Sequence, residues 1–229
     1  MKRFKQVIAG LVAVSIGGML TAQANTVQEM GIGANEVVEI SSSDVASGIN
    51  IGPVWVYAGI VNLQVDGVPT QGFCIDPYHW SLSGPQTYSE VPLGAAPKAP
   101  GGPMTSATAT EIEQLWAKYF PAAMGDNAVA AGLQIAIWEL VTETAGHGLP
   151  LNTGNTGTFS LLSGNDYGAG ADLAWLAANP NAPTASLIGL TGPGQDYVIP
   201  SVPDSGTTAL LLGLGVCALI AARKNLRFC

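Results

Sequence analysis

The sequence predicts an α+β fold, because strand-like segments come first, helical segments follow, and short strand-like segments return near the end. A β-sandwich or barrel-like sheet with an inserted helical part fits this order. The predicted domain, residues 25–202, is long enough for a hydrophobic core of its own. A predicted signal peptide, residues 1–24, precedes it, and a predicted C-terminal sorting segment, residues 203–229, follows it.

A hairpin is the clearest element of the predicted sheet. Residues 54–65 are rich in β-branched and aromatic side chains, and the Asp66-Gly67 dipeptide that follows is typical of a two-residue turn. The return strand is predicted over 68–75. Cys74 therefore lies near the end of a strand.

The first helix follows a proline- and glycine-rich loop predicted over 85–103. The pair Thr108 and Glu111 has the spacing of a capping box, and Pro121 is predicted to end the helix. Apolar residues recur on one face of it, at Ile112, Leu115, Trp116 and Tyr119.

The second predicted helix begins near Asn127 and continues to about residue 145. Its acidic residues Glu139 and Glu143 are predicted to face solvent. The remaining predicted elements are a short strand near Phe159, a short helix over 172–178, and closing strands over 187–190 and 197–199.

The charge distribution excludes nucleic-acid binding. Residues 25–202 contain fifteen acidic side chains but only two basic ones, Lys98 and Lys118. A surface of this kind has no basic patch for a phosphate backbone. The other basic residues lie near the two ends of the chain.

The N-terminus has the pattern of a secretory signal peptide. Lys2, Arg3 and Lys5 precede an apolar run over 7–20, which is short for a transmembrane anchor. The small-x-small sequence read by signal peptidase follows at Ala22, Gln23 and Ala24. Export with Asn25 as the first mature residue is predicted.

The C-terminus combines a short motif, an uncharged helix over 207–222 and a basic tail that includes Arg223. Sixteen helical residues span roughly 24 Å, which makes a marginal membrane helix. A simple membrane anchor is one interpretation. The motif consists of Val202, Pro203, Asp204, Ser205 and Gly206.

This three-part order resembles the PEP-CTERM class of exosortase substrates, in its Val-Pro-Asp-Ser-Gly variant. The resemblance implies that the tail enters the inner membrane transiently and is processed by an exosortase-type enzyme. It also implies delivery to the cell surface or extracellular matrix of a Gram-negative bacterium.

Cys74 is the only cysteine between residues 25 and 202, so this domain cannot form an internal disulfide. An unpaired cysteine in an exported domain needs an explanation, because the compartment is oxidising. Packing as a small buried hydrophobe is one.

Two short motifs suggest a second reason for the single cysteine. An aromatic-Cys-aliphatic-Asp sequence comprises Phe73, Cys74, Ile75 and Asp76, and a Gln-x-Ala-aliphatic-Trp sequence in the second helix comprises Gln134, Ala136, Ile137 and Trp138. Together they resemble the bacterial surface thioester domains, the TQxA family, although Leu133 stands where that family usually has Thr or Gln.

The resemblance implies that the Cys74 sulfur attacks the Gln134 side-chain carbonyl, expels ammonia and leaves an internal thioester. Phe73, Ile75, Ile137 and Trp138 are expected to shield the bond, with Asp76 as an accompanying acid. Amine-bearing surface or matrix molecules, such as lysine side chains or polyamines, would then displace the sulfur. The protein would be a single-turnover covalent binder, similar to an adhesin, and not an enzyme; no cofactor is implied.

Two other functions stay open. The protein could be a structural matrix protein with an unreacted, buried Cys74, or a cysteine hydrolase using Cys74 and His147. His79 is predicted to be incidental to the chemistry. A metal site is not expected, because two histidines and one cysteine have no ligand spacing.

Overall fold

The computed structural model describes residues 24–44, 49–97, 102–142 and 159–201. In the described part of the chain, seven strands form one sheet. They are β1 (Ala24–Asp44), β2 (Ile49–Val65), β3 (Val68–Cys74), β4 (Gln86–Pro92), β5 (Phe159–Leu161), β6 (Leu187–Thr191) and β7 (Tyr197–Pro200). The helices described are α1 (Ser106–Ala123), α2 (Asn127–Thr142) and α3 (Ala169–Ala178), with a 3₁₀ turn at Leu93–Ala95.

All strand pairings are antiparallel, in the order β2-β3-β7-β6-β4-β1-β5. A further pairing of β1 with β2 closes the first six strands into a ring. The expected α+β class is confirmed at this level: an antiparallel sheet dominates, and three helices accompany it in the described residues. In chain order, α1 and α2 lie between β4 and β5.

The predicted hairpin is present. Asp66 and Gly67 connect β2 to β3 with φ values of 49° and 82°. Positive φ at both central residues is the requirement of the turn that matches strand twist, and Asp-Gly meets it at little cost.

Two strands were not predicted. β1 curves around the sheet by means of three register shifts along its ladder with β2, so its side chains do not alternate regularly over its whole length. β4 lies within the stretch predicted as a loop over 85–103, and that prediction was wrong. Short Pro- and Gly-flanked strands carry a weak periodic signal, and only their partners β1 and β6 identify them.

The predicted helices are confirmed with altered ends. Thr105, not Thr108, is the N-cap of α1, because its side chain accepts a hydrogen bond from the Thr108 N–H. Pro121 lies inside the last turn and does not end the helix. α2 begins at Asn127 as expected.

α2 is buried from Ala130 to Thr142, and this overturns the expected solvent-facing position of Glu139, which is 1% exposed. The helix contacts β1, β2, α1 and α3, so it has no solvent face along most of its length. Glu143 lies outside the described residues. The mixed apolar pattern of α2 is typical of such a central helix.

Two hydrophobic clusters stabilise the fold. The larger lies between the helices and the sheet and includes Cys74. The smaller is contributed by the ring strands and contains Val27, Val61, Leu63, Tyr88, Leu190, Tyr197 and Ile199. None of the helices among the described residues is long and apolar enough to cross a membrane; the predicted helix at 207–222 lies outside those residues.

Candidate functional site

Cys74 is the last residue of β3 and lies where that strand loses one neighbour. On one side it pairs with Tyr197 of β7. On the other side, the ladder between β3 and β2 ends at Gly72, which pairs with Val61. Beyond Gly72 the two strands separate, so the main chain of Cys74 has no β2 partner and needs other hydrogen-bond partners.

The side chain of Gln134 supplies them. Its Oε1 accepts a hydrogen bond from the Cys74 N–H at 3.0 Å, and its Nε2 donates to the Cys74 carbonyl at 2.8 Å. Both atoms of the carboxamide are thus fixed, and the carboxamide carbon between them is held against Cys74. The two residues are sixty positions apart in sequence and 1–3% exposed.

Two N–H groups lie close to the Cys74 sulfur. The main-chain N–H of Asp76 donates to Sγ at 3.3 Å. The indole of Trp138 lies near enough to favour the thiolate, yet its Nε1 has no hydrogen-bond partner of good geometry among the described residues. A buried indole N–H without a partner is unusual and asks for an explanation.

Burial nevertheless raises the pKa of the Cys74 thiol well above its ordinary range, and the effects of Trp138 and Asp76 are smaller. The sulfur is therefore a neutral thiol at physiological pH, in no disulfide. It is a poor free nucleophile.

A cleft of about 380 Å³ leads from the surface to this pair. Its base is formed by Cys74, Gln134 and Trp138, which are all buried. Its mouth is formed by Trp55, Tyr57, His79 and Trp80, which are all exposed. Glu29 and Gln195 also line the cleft.

The expected shielding residues are placed unequally. Trp138 lines the cleft, whereas Phe73, Ile75 and Ile137 are fully buried and do not. Phe73 packs instead edge-on against Trp116 of α1, with ring centroids 5.4 Å apart. These three residues support the base of the cleft from behind.

Asp76 begins the loop that forms one side of the mouth. Its Oδ1 accepts a hydrogen bond from the Tyr78 N–H at 3.0 Å, and its Oδ2 lies 2.6 Å from Nδ1 of His79. The loop is fixed further by the Tyr78 hydroxyl, 2.5 Å from Oγ of Ser42. The accompanying acid thus orients a histidine at the mouth.

Sequence reasoning missed the mouth residues. Trp55 and Tyr57 were assigned to a strand, but nothing in their spacing indicates that they flank a cleft. His79 was expected to be incidental; its position three residues after Asp76, beyond a proline, is the one local signal for the contact.

Several predicted residues lie outside the described part of the chain. They are His147 and the sorting-signal residues Val202, Pro203, Asp204, Ser205, Gly206 and Arg223. Within the described residues, no group of three or more His, Cys, Asp or Glu side chains is arranged to hold a metal ion.

Comparison with known proteins identifies one segment. Residues 201–226 match the VPDSG-CTERM motif. The chain therefore carries a C-terminal sorting motif of the kind found on exported, surface-targeted proteins and processed by exosortase-type enzymes. No curated protein and no solved structure matches the chain.

Proposed function

We propose that this protein is an exported surface or matrix protein that forms an internal thioester between Cys74 and Gln134 and uses it to attach covalently to an amine-bearing partner. The observation that carries the proposal is the clamp of the Gln134 carboxamide on the Cys74 main chain, at the base of an open cleft. Neither group is reactive alone, so their fixed proximity is the feature that favours reaction.

The forming step is a substitution at the Gln134 carboxamide carbon. The Cys74 Sγ–Cδ bond forms, the Cδ–Nε2 bond breaks, and the nitrogen leaves as ammonia with the thiol proton. Fixed proximity contributes an effective molarity on the order of 10⁵–10⁸ M to such intramolecular reactions. The Asp76 and Trp138 N–H groups stabilise negative charge that develops on the sulfur.

The base of the cleft also protects the product. Cys74, Gln134 and Trp138 are each 3% exposed or less, so water has little access to the bond. The reaction with an amine leaves an amide on residue 134 and releases the Cys74 thiol.

The mouth favours a cationic amine. Its exposed aromatic rings attract ammonium groups through their faces, and the carboxylate of Glu29 lines the same cleft. The strongly acidic domain adds a long-range attraction, limited by salt to about 8–10 Å. Lysine side chains and polyamines carry the matching charge.

The sorting motif supports a location for this reaction outside the cytoplasm. We propose that the helix over 207–222 holds the chain transiently in the inner membrane until an exosortase-type enzyme processes it. The domain would then reach the surface or matrix, where amine-bearing molecules are present.

A non-reactive structural role is the second candidate, and one observation favours it. The two hydrogen bonds of Gln134 satisfy main-chain groups at the end of β3 that have no β2 partner, which is reason enough for a buried glutamine. In that case the Gln134 carboxamide only satisfies the main chain at the end of β3, and Cys74 stays a buried thiol.

A cysteine hydrolase receives no support from the described residues. Such an enzyme needs a thiolate, and burial raises the pKa of Cys74.

Intact mass measurement separates the first two candidates. The chain, expressed with both terminal segments and purified in detergent, should be lighter than its calculated mass by one ammonia. Cys74→Ala should have its calculated mass. Methylamine should remove the deficit in the wild type and add a methylamide at residue 134, located by peptide mapping. A wild-type protein of full calculated mass, unchanged by methylamine, would exclude the thioester and leave the structural role.

A further inference from the structure

His79 and Asp76 form a pair that the thioester proposal leaves unused. Nδ1 of His79 lies 2.6 Å from Oδ2 of Asp76. Asp76 reaches the reaction centre as well, because its main-chain N–H donates to Sγ of Cys74. One residue therefore connects the histidine at the mouth to the sulfur at the base.

The contact with Asp76 fixes the state of the ring. A neutral imidazole beside a carboxylate carries its proton on the nitrogen that faces the carboxylate. Nε2 is then the nitrogen with a free lone pair. The His79 side chain is 63% exposed and lines the cleft, so an incoming molecule passes it on the way to Gln134.

The opening of the thioester requires proton transfer at two atoms. The attacking nitrogen has to lose a proton once it bonds to the carbonyl carbon. The departing sulfur has to gain one, because its buried site disfavours the thiolate. A base near the sulfur satisfies both requirements.

We propose that His79, oriented by Asp76, is the general base for attack of an amine on the Cys74–Gln134 thioester. The inference rests on the proposed function. In this assignment His79 contacts the substrate nitrogen, and Asp76 is a positioning residue.

The proposed step transfers the acyl group of residue 134 from sulfur to the amine nitrogen. The amine nitrogen bonds to Cδ of residue 134 while Nε2 of His79 removes one N–H proton. The Cδ–Sγ bond then breaks, its electron pair stays on sulfur, and the proton passes from the imidazolium to Sγ. The products are an amide, a thiol and a neutral His79. An amine that arrives protonated has first released one proton to solvent.

Other ionisable groups face this pair. Asp196, in the loop between β6 and β7, interacts with both His79 and Asp76, and burial raises its pKa to about 6. Glu29 of β1 lines the cleft from the opposite strand. Because these groups lie near the pair, the test needs variants of His79 itself.

Methoxyamine is the suitable probe, because it stays uncharged between about pH 5 and 8, the range in which imidazoles titrate. Its rate of reaction with the full chain, followed by mass, therefore reports protein groups only. The wild-type rate should rise with pH across this range and then level off. His79→Gln should react about 10- to 100-fold more slowly at the plateau and show no such rise.

The chain offers a matched control. His147→Gln makes the same substitution at the only other histidine, and its rate and pH profile should equal those of the wild type. Each variant is first checked for the missing ammonia, which shows that its thioester has formed.

Rescue separates chemistry from structure. His79→Ala should be slow, and added imidazole should restore part of its rate in proportion to the imidazole concentration. An altered fold would not respond in this way.

The outcomes are distinguishable. If wild type shows no mass deficit, the proposed function fails and this inference with it. If wild type and His79→Gln both show the deficit and react with equal rates and profiles, the base assignment is wrong and the thioester stands. Loss of the deficit in His79→Gln alone would also overturn the assignment, because His79 would then act in formation of the bond.

Discussion

The base and the mouth line the same cleft, yet they differ in exposure and in chemical character. The base is built from buried residues on β3 and α2, held by hydrogen bonds to the main chain. The mouth is built from exposed aromatic and ionisable residues on β2 and the loop after β3. One region excludes water and the other meets it.

This difference indicates how a reactive bond could be both stored and used. A thioester survives in water only if hydrolysis is slow, which requires a dry base. It serves a purpose only if a partner can reach it, which requires an open mouth.

The largest expected effect comes from removing the proposed Cys74–Gln134 crosslink at the base. A bond that closes a segment of this length constrains the unfolded chain by about 4 kcal/mol, on the scale derived for disulfides. Cys74→Ala and Gln134→Ala should each lose most of that stability in urea unfolding. The double variant should be little worse than either, because both remove the same bond.

Methylamine-treated wild type is the control for this comparison of the single and double variants. It keeps the sulfur but not the crosslink, so its unfolding midpoint should fall towards that of the variants. Additive losses in the double variant, with no effect of methylamine, would show two independent packing contacts.

The next effect concerns the indole of Trp138. Trp138→Phe keeps a buried ring and removes the unpartnered N–H near the sulfur. Loss of one preorganised donor typically slows reactions by about 10²–10³-fold, so thioester formation should slow at least about tenfold when unreacted chain, recovered from denatured inclusion bodies, is first folded. The loss of ammonia is followed by mass over time. Unchanged kinetics would mean that the indole serves packing only.

A smaller effect is expected between the two regions, at Asp196. Burial raises its pKa from 3.8 to about 6, so folding favours the protonated acid. Its stabilising contribution is therefore complete below about pH 4 and is lost as pH rises through about 6. Asp196→Asn cannot ionise and should avoid about 1 kcal/mol of this loss.

Thermal unfolding between pH 4 and 8 measures the difference. Asp172, whose pKa burial also raises to about 6, is present in both proteins and cancels in the comparison. Parallel wild-type and variant curves would place Asp196 in contact with water and weaken the picture of a dry base.

The smallest effect belongs to the aromatic mouth. An exposed cation–π contact contributes about 0.5–1 kcal/mol, so Trp80→Ala should slow the reaction with a cationic diamine roughly two- to fivefold. The rate with uncharged methoxyamine should not change. Equal slowing of both amines would indicate a general change in the shape of the cleft.

The sequence predicted much of the sheet and all of the described helices, for local reasons. The turn at Asp66 and Gly67 has its own chemistry, and the apolar stripe of α1 repeats at the helical period. β1 and β4 were missed because bulges and prolines interrupt their alternation, and pairing partners far along the chain define them. Glu139 was misplaced because α2 is buried by elements from distant parts of the chain, which its own sequence does not reveal.

The candidate site also has residues that the sequence could identify and residues that it could not. Cys74, Gln134, Asp76 and Trp138 could be singled out from two short motifs, because the proposed chemistry restricts residue types within a few positions. The cleft and its mouth could not, because Trp55 and Tyr57 reach it only through the path of β2 around the ring.

The sequence by itself determined the sorting motif at the C-terminus and the supply of one thiol to the predicted domain, since both depend only on residue identity and order. The tertiary structure decided what that thiol meets. The ladder between β2 and β3 ends at Gly72 of β3. The main-chain groups of Cys74, two residues later, are therefore bonded by the side chain of Gln134, sixty residues away. Only the folded chain brings that carboxamide to the main chain of Cys74, because the contact follows from where two strands separate and a helix crosses.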